Sequence, residues 1–208
     1  MNEGRRVLLV GGAGYVGNVM ARRMLAAGWN VVVLDRLIFD HGSAIAPLLE
    51  DDAFTFVHGD LRDEGAVEAA LAGVTDVALL AGLVGDPITR TYGLSPRMRF
   101  DLTISEFTRT LAAGEELVVY DADTWRPYCH VADISKAVMT VIEADRDLVA
   151  GEVFNVGHSD EIYTKRMIVD VVQEVLDGAG RVQFEEGGRD PRNYRVSFEK
   201  IREQLGYE

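Results

Sequence analysis

The stretch Val7-Leu8-Leu9-Val10-Gly11-Gly12-Ala13-Gly14-Tyr15-Val16-Gly17 decides the fold. Four apolar residues in a row predict a strand buried on both faces. Glycines follow at 11, 14 and 17, and residues 18–27 then read as a helix ended by Gly28. A strand, a tight glycine turn and a helix N-terminus make an anion site. The first amides of the helix have no partner within it, and its dipole favours a phosphate there. Gly11, Gly14 and Gly17 suit the turn because a Cβ would obstruct it or the approach of a pyrophosphate; Tyr15 and Val16 lie between them.

A second apolar run, Asn30-Val31-Val32-Val33-Leu34, ends in Asp35. An acid at that point accepts hydrogen bonds from the adenosine ribose of a dinucleotide. The plainer alternative is a glycine turn with a capping aspartate. A carboxylate at 35 repels a 2′-phosphate and so favours NAD over NADP, while the neighbouring Arg36 has the chemistry to accept that phosphate.

Strands at 54–57 and 76–81 alternate with a helix at 64–72, for which Asp63 is the expected N-cap. This alternation predicts an α/β fold with a doubly wound parallel sheet in the order 3-2-1-4. Ligands of such sheets sit beyond the carboxyl ends of the strands. Here those ends are Gly11–Gly17, Asp35, Asp60-Leu61 and Ala81-Gly82. Asp60 is either a partner for an adenine amino group or a turn aspartate.

The chain has 208 residues, enough for one good domain with a lobe attached. Its formal net charge of −13 argues against nucleic acid and anionic membrane as bulk partners. No apolar run approaches membrane length and the sequence enters its first strand almost at once, so a cytoplasmic protein is expected. The single cysteine, Cys129, excludes an intrachain disulfide and reads as a small buried residue. No histidine stands in metal-ligand spacing, so no metal is expected. Arginine outnumbers lysine 18 to 3, which suits guanidinium forks on phosphate.

Residues 82–87 read as loop and 88–99 follow neither period. Beyond them, helices are expected at 43–50, 100–113, 133–144 with Asp133 as cap, 163–176 and 197–205. Strands are expected at 117–120 and 152–157, with a turn over 121–127.

Several strings resemble the extended short-chain dehydrogenase/reductase family, the NAD-dependent epimerases and dehydratases of nucleotide sugars. They are GGAGYVG at 11–17, GDLRD at 59–63, LLAGLVGDP at 79–87, YGLSPRMRFDL at 92–102, WRPYCHVADISKA at 125–137, FNVG at 154–157 and DPRNYRVSFEKIREQLGY at 190–207. Together they run from end to end. The resemblance implies a Rossmann-like cofactor portion over 1–93. It implies a small substrate lobe over 94–208, with one or two strands returning to the main sheet. It further implies NAD as cofactor, a nucleotide sugar as ligand, and Arg97, Arg126 and Arg192 near its diphosphate; the plainer alternative for each is a surface ion pair. His130 and Asp133 read as structural.

One departure is large. The family's catalytic tyrosine is followed four residues later by a lysine. Here the residues four after Tyr15, Tyr92, Tyr120, Tyr128, Tyr163 and Tyr194 are Val19, Pro96, Thr124, Ala132, Met167 and Phe198, and Tyr207 has none. No catalytic residue is therefore assigned. Between GDPIT at 85–89 and TYGLSPRMRF at 91–100 the family has more than two further strand–helix units. At about 30 residues per unit, about 80 residues are missing there. Strand four is thus expected either to end on a bare edge or to pair with a second copy in a homodimer, with 153–156 filling part of the gap. The chain reads as a shortened epimerase or dehydratase without activity, as part of a longer chain, or as a binding protein that acts through a partner.

Overall fold

Each of the first strands needs cover on both faces, and the chain supplies it by alternation. A computed structural model of the protein describes residues 4–39, 42–82, 91–187 and 192–208. His41, residues 83–90 and residues 188–191 lie outside the described residues. The chain divides into two compact units. One comprises Met1–Leu83, Leu94–Met98 and Ile134–Asp145; the other comprises Val84–Gly93, Arg99–Asp133 and Arg146–Glu208.

In the first unit, β1 (Arg6–Val10) leads through the glycine turn into α1 (Tyr15–Ala26). The chain continues as β2 (Asn30–Asp35), two short 3-10 turns, β3 (Phe54–His58), α2 (Glu64–Leu71) and β4 (Asp76–Leu79). The four strands are parallel in the order β3-β2-β1-β4, as the alternation predicts. Pleating sorts their side chains into two cores. Val7, Leu9, Val31 and Val33 face Met20, Met24 and Trp29, and Val138, Met139 and Ile142 pack against the same cluster. Leu8, Val10, Val32 and Leu34 face Ala70, with Ala66 and Val67 of α2 beside it. Asp63 caps α2, accepting from the amides of Gly65 and Ala66. Among the described residues β4 is an edge strand: Ala78 joins the first core, but Val77 and Leu79 are 53% and 69% exposed.

The second unit is built from short pieces. In chain order these are β5 (Thr91–Tyr92), α3 (Thr103–Ala112), β6 (Glu116–Tyr120), β7 (Trp125–Pro127), β8 (Cys129–His130), α4 (Val131–Glu143), α5 (Arg146–Val149), β9 (Ile162–Thr164), α6 (Lys165–Val175), β10 (Arg181–Glu185) and α7 (Glu199–Leu205). Helix α4 starts in this unit, and its residues from Ile134 onward belong to the first. β6 and β10 pair in parallel, β5 and β8 likewise, and β7 pairs antiparallel with β9. Phe107, Leu111, Leu117, Val119, Tyr128, Ile168, Val169 and Val172 make the core. Thr164 caps α6 by accepting from the Met167 amide.

Five expectations need correction. Residues 153–156, read as a strand from their apolar run, form none: Val153 is 79% exposed and Asn155 Nδ2 donates to the Ser197 carbonyl instead. Among the described residues no strand of 94–208 returns to the main sheet, and the division of the chain is not a single cut after residue 93. Residues 125–127, read as turn, are a strand, because β9 offers them a ladder. Asp133 lies inside the first turn of α4 and is not its cap; the residue before the helix is His130, whose Nδ1 accepts from the Ala132 amide at 3.2 Å.

Candidate functional site

The carboxyl ends of the first unit's strands meet around the glycine turn. Gly11 has φ +82, and a Cβ on it would lie 2.8 Å from the backbone of Ala81. The turn therefore touches the end of the β4 segment only because residue 11 is glycine. A Cβ on Gly17 would lie 2.5 Å from Gly12 Cα, so α1 closes on the turn only with glycine there. Gly14 is the N-cap of α1; it provides no side-chain cap, and no acid lies in the first turn. The positive pole of a twelve-residue helix is thus left without a carboxylate of its own, as a phosphate-binding turn requires. Tyr15 is buried, and its carbonyl accepts from Ser95 Oγ at 2.8 Å.

Asp35 ties the second strand end to this turn. Its Oδ2 accepts from the Ala13 amide at 3.1 Å and its Oδ1 from the Leu37 amide at 2.8 Å. A carboxylate offers about four lone-pair sites, and these two amides take two of them. Gly59 N donates to the Asp35 carbonyl at 3.1 Å, which brings the 59–62 turn alongside. There Asp60 accepts from Arg36 Nη1 at 2.8 Å and from Arg62 Nε and Nη2 at 2.9 and 2.7 Å. The Arg62 fork, with the Arg62 amide and the Arg36 charge, holds the Asp60 carboxyl well below the usual carboxylate range. Leu61 is half exposed beside it, and Gly82 follows Ala81 at the end of the β4 segment. All eleven residues read from the sequence as cofactor-binding therefore belong to this unit. The sequence reading did not single out Ser95, which fixes the first turn of α1; the Ser-Pro dipeptide at 95–96 marks a turn there.

The three expected phosphate arginines fall in different places. Arg97 belongs to the first unit, where its guanidinium lies 5.0 Å from the centre of the Phe39 ring. Arg126 and Arg192 belong to the second. Arg126 on β7 is fully buried, donates from Nη1 to the Trp125 carbonyl at 2.8 Å, and stacks 5.4 Å from the Tyr194 ring centre. Arg195 stacks in turn on Trp125 at 3.6 Å, and Asn193 Oδ1 accepts from the Trp125 amide. Reciprocal cation–π pairs thus fasten the 193–195 segment to β7. Arg192, exposed, is at the start of that segment.

A cavity of about 330 Å³ opens in the second unit, lined by residues that include Thr91, Pro127, Cys129, Asn155 and Tyr194. Cys129, read as buried, is partly exposed and lines it. The cavity is of a size that admits part of a small ligand. Among the described residues no three of His, Cys, Asp and Glu gather to hold a metal ion. Nor is any helix among them long and apolar enough to cross a membrane.

Three tyrosines of the second unit are poorly prepared as bases. Burial and the nearby Glu161 charge push Tyr92 upward, and its ring meets His130 edge-on at 5.1 Å. Tyr163 donates to Glu161 Oε2 at 2.5 Å and is pushed up to about 12. Burial raises Tyr207, whose hydroxyl donates to the Asp133 carbonyl. A catalytic tyrosine needs the opposite shift, toward the working pH.

The fold and the dinucleotide-type turn define a class that the comparisons name. The chain belongs to the NAD dependent epimerase/dehydratase family, whose model matches residues 7–95 and 88–157. It is 44% identical over 57 residues to a UDP-glucose 4-epimerase of Lacticaseibacillus casei, which is 27% of this chain and 16% of that protein. It is 30% identical over 125 residues to UDP-glucuronic acid decarboxylase 6 of Arabidopsis thaliana, 58% of this chain and 34% of that one. The matches thus span about a sixth and a third of these relatives. Among solved structures, dTDP-glucose 4,6-dehydratase from Bacillus anthracis in complex with NAD superposes with a TM-score of 0.81 at 17% identity, over 98% of this chain and 91% of that one. The UDP-glucose 4-epimerase of Thermus thermophilus, a complex with NAD, gives 0.75 at 19% identity, over 98% and 93%.

Proposed function

We propose that the first unit binds NAD along Gly11–Gly17, with Asp35 on the adenosine ribose and Asp60 beside the adenine. We propose that the second unit takes a nucleotide sugar. The observation that carries the cofactor reading is the cradle itself: Gly11 and Gly17, where a Cβ would strike backbone, an acid-free helix pole, and Asp35 fastened to the turn. Bound NAD would supply a hydride acceptor and donor for a transient keto-sugar. The chain's own contribution is to hold the pyrophosphate at the α1 amides and the ribose at Asp35.

Turnover also needs a base, and here the reading departs from the family's usual activity. The tyrosine–lysine pair is absent from the sequence, and Tyr92, Tyr163 and Tyr207 are all shifted upward, away from the working pH. The family match in two stretches that meet at 88–95 supports a loss of about 80 intervening residues there. The 208-residue chain is therefore a cofactor- and sugar-nucleotide-binding protein without appreciable epimerase or dehydratase turnover. The exposed Val77 and Leu79 on edge strand β4 support a homodimer paired along that edge. A cytoplasmic location fits a protein whose ligands are soluble nucleotides.

Calorimetry with NAD and with UDP-glucose, followed by product analysis of both together, tests the whole reading. Binding of each without product is expected. Asp35→Ala should weaken NAD more than NADP, and Arg126→Ala should weaken UDP-glucose by about 1.5–3 kcal/mol while leaving NAD unchanged. Absence of dinucleotide binding by folded protein overturns the cofactor assignment. Robust turnover overturns the inactive reading and makes Tyr92 and Tyr128 the first residues to replace.

A further inference from the structure

Arg36 stands directly after the acid that selects the adenosine ribose, so its position bears on which dinucleotide the turn accepts. A guanidinium free to turn toward a 2′-phosphate would favour NADP. In the structure it is not free. Its Nη1 donates to Asp60 Oδ2 at 2.8 Å, and Asp60 is its only anionic partner among the described residues. The backbone of Arg36 is held as well, with its carbonyl 3.3 Å from His58 Nε2. The chain turns sharply beyond it, where Leu37 takes φ +53 and donates its amide to Asp35.

Asp60 is equipped for this hold. Arg62 grips the same carboxylate bidentately, and the Arg62 amide donates to Oδ1 at 3.0 Å. The carboxylate is thereby fixed before Arg36 reaches it, so the Arg36 contact restricts fewer rotors than an isolated surface pair would. It also stays ionised at any pH near neutrality.

We propose that Asp60 sets the dinucleotide preference by sequestering Arg36. With Arg36 withdrawn, Asp35 alone faces the ribose, and the turn reads hydroxyls and refuses a phosphate. The inference rests on the first unit's binding a dinucleotide. It adds that an ion pair on the neighbouring strand's loop, not Asp35 alone, carries the discrimination.

The test measures dissociation constants for NAD and NADP at one salt concentration, for the unsubstituted chain, Asp60→Asn, Arg36→Ala and the double variant. An amide cannot hold two guanidinium groups, so Asp60→Asn should shift the NADP-to-NAD affinity ratio toward NADP by about tenfold or more. Any contact of residue 60 with adenine is common to both dinucleotides and cancels in that ratio. Arg36→Ala alone should leave the ratio near that of the unsubstituted chain, because the arginine is already withdrawn. Added to Asp60→Asn, it should abolish the shift. An unchanged ratio in Asp60→Asn overturns the proposal, as does a shift that survives in the double variant. So does a specific loss of NADP affinity in Arg36→Ala, which would mean that Arg36 already serves the phosphate. If the unsubstituted folded chain binds neither dinucleotide, the cofactor reading itself fails and this inference falls with it.

Discussion

The two units solve the same problem of burying a parallel β-pair in different ways. In the first, β1 and β2 are covered on both faces, by the Val7–Leu9–Val31–Val33 core on one side and the Leu8–Val10–Val32–Leu34 core on the other. In the second, β6 and β10 are covered on one face, where Leu117, Val119 and Val182 meet the core. Their other face leaves Val118 and Tyr120 at 39% and 46% exposed, and on the core face Phe184, paired with Val119, is still 40% exposed beneath the Arg166 guanidinium at 4.2 Å. Both units carry cation–π stacks and an arginine fork on an aspartate, Arg97 over Phe39 and Arg62 on Asp60 in the first, Arg195 over Trp125 and Arg166 on Asp123 in the second. What differs is apolar cover, and the difference teaches that the first unit is the more vulnerable to lost volume.

The largest test applies one substitution to both. Leu9→Ala, at a site with no exposure, should cost about 3–4 kcal/mol, and Leu117→Ala, nearer a one-sided sheet, about 2 kcal/mol. The two tryptophans serve as separate probes, since Trp29 belongs to the first unit and Trp125 to the second. Urea midpoints followed in Trp29→Phe and Trp125→Phe backgrounds would show which unit each mutation loosens. Equal costs would break the comparison. A smaller effect is expected of Arg195→Ala, which removes the stack on Trp125: about 0.5–1 kcal/mol, read from the thermal midpoint. Leu9→Ala should move Trp29, and Arg195→Ala should leave it unmoved.

The smallest effect is on pH. Asp60 in the first unit and Asp123 in the second are both held below their ordinary value of 3.8 by arginine forks. A carboxylate with a depressed folded pKa contributes stability that is fully present above the unfolded value and is lost as pH falls below it. Both groups are at the surface, so the contribution is small. Asp60→Asn should flatten the acid limb below about pH 4 seen by Trp29, and Asp123→Asn the limb seen by Trp125. If either substitution flattens both limbs equally, the units do not respond separately.

The first unit is legible in the sequence because strict alternation and glycine punctuation leave few other arrangements for Val7–Gly17 and Val31–Asp35. The cap at Asp63 is legible for the same local reason. The second unit is harder to read, because its elements depend on partners far away in sequence. Trp125–Pro127 becomes strand only through Ile162–Thr164, and Arg181–Glu185, whose apolar residues alternate with polar ones, only through Glu116–Tyr120. Residues 153–156 have the apolar run of a strand but no ladder to join among the described residues. At the site, order alone names Asp35 and the glycines. It does not reveal the ion pair of Arg36 with Asp60, since nothing local distinguishes an arginine that waits for a phosphate from one already engaged.

The division of α4 between the units has a consequence for biosynthesis. Val138, Met139 and Ile142 complete the first core, and Arg5 Nη1 donates to the Ile142 carbonyl at 2.8 Å across 137 residues of sequence. A nascent chain that has just finished β4 therefore lacks part of its core. At about 5–20 residues per second, the ribosome needs several seconds more before residues 134–145 emerge to close it. Closing so long a loop costs little more entropy than closing one half its length, so the delay is one of time and not of equilibrium. During those seconds the edge of β4 and one flank of the first core face water together. That window is when the apolar residues of the first unit are least covered.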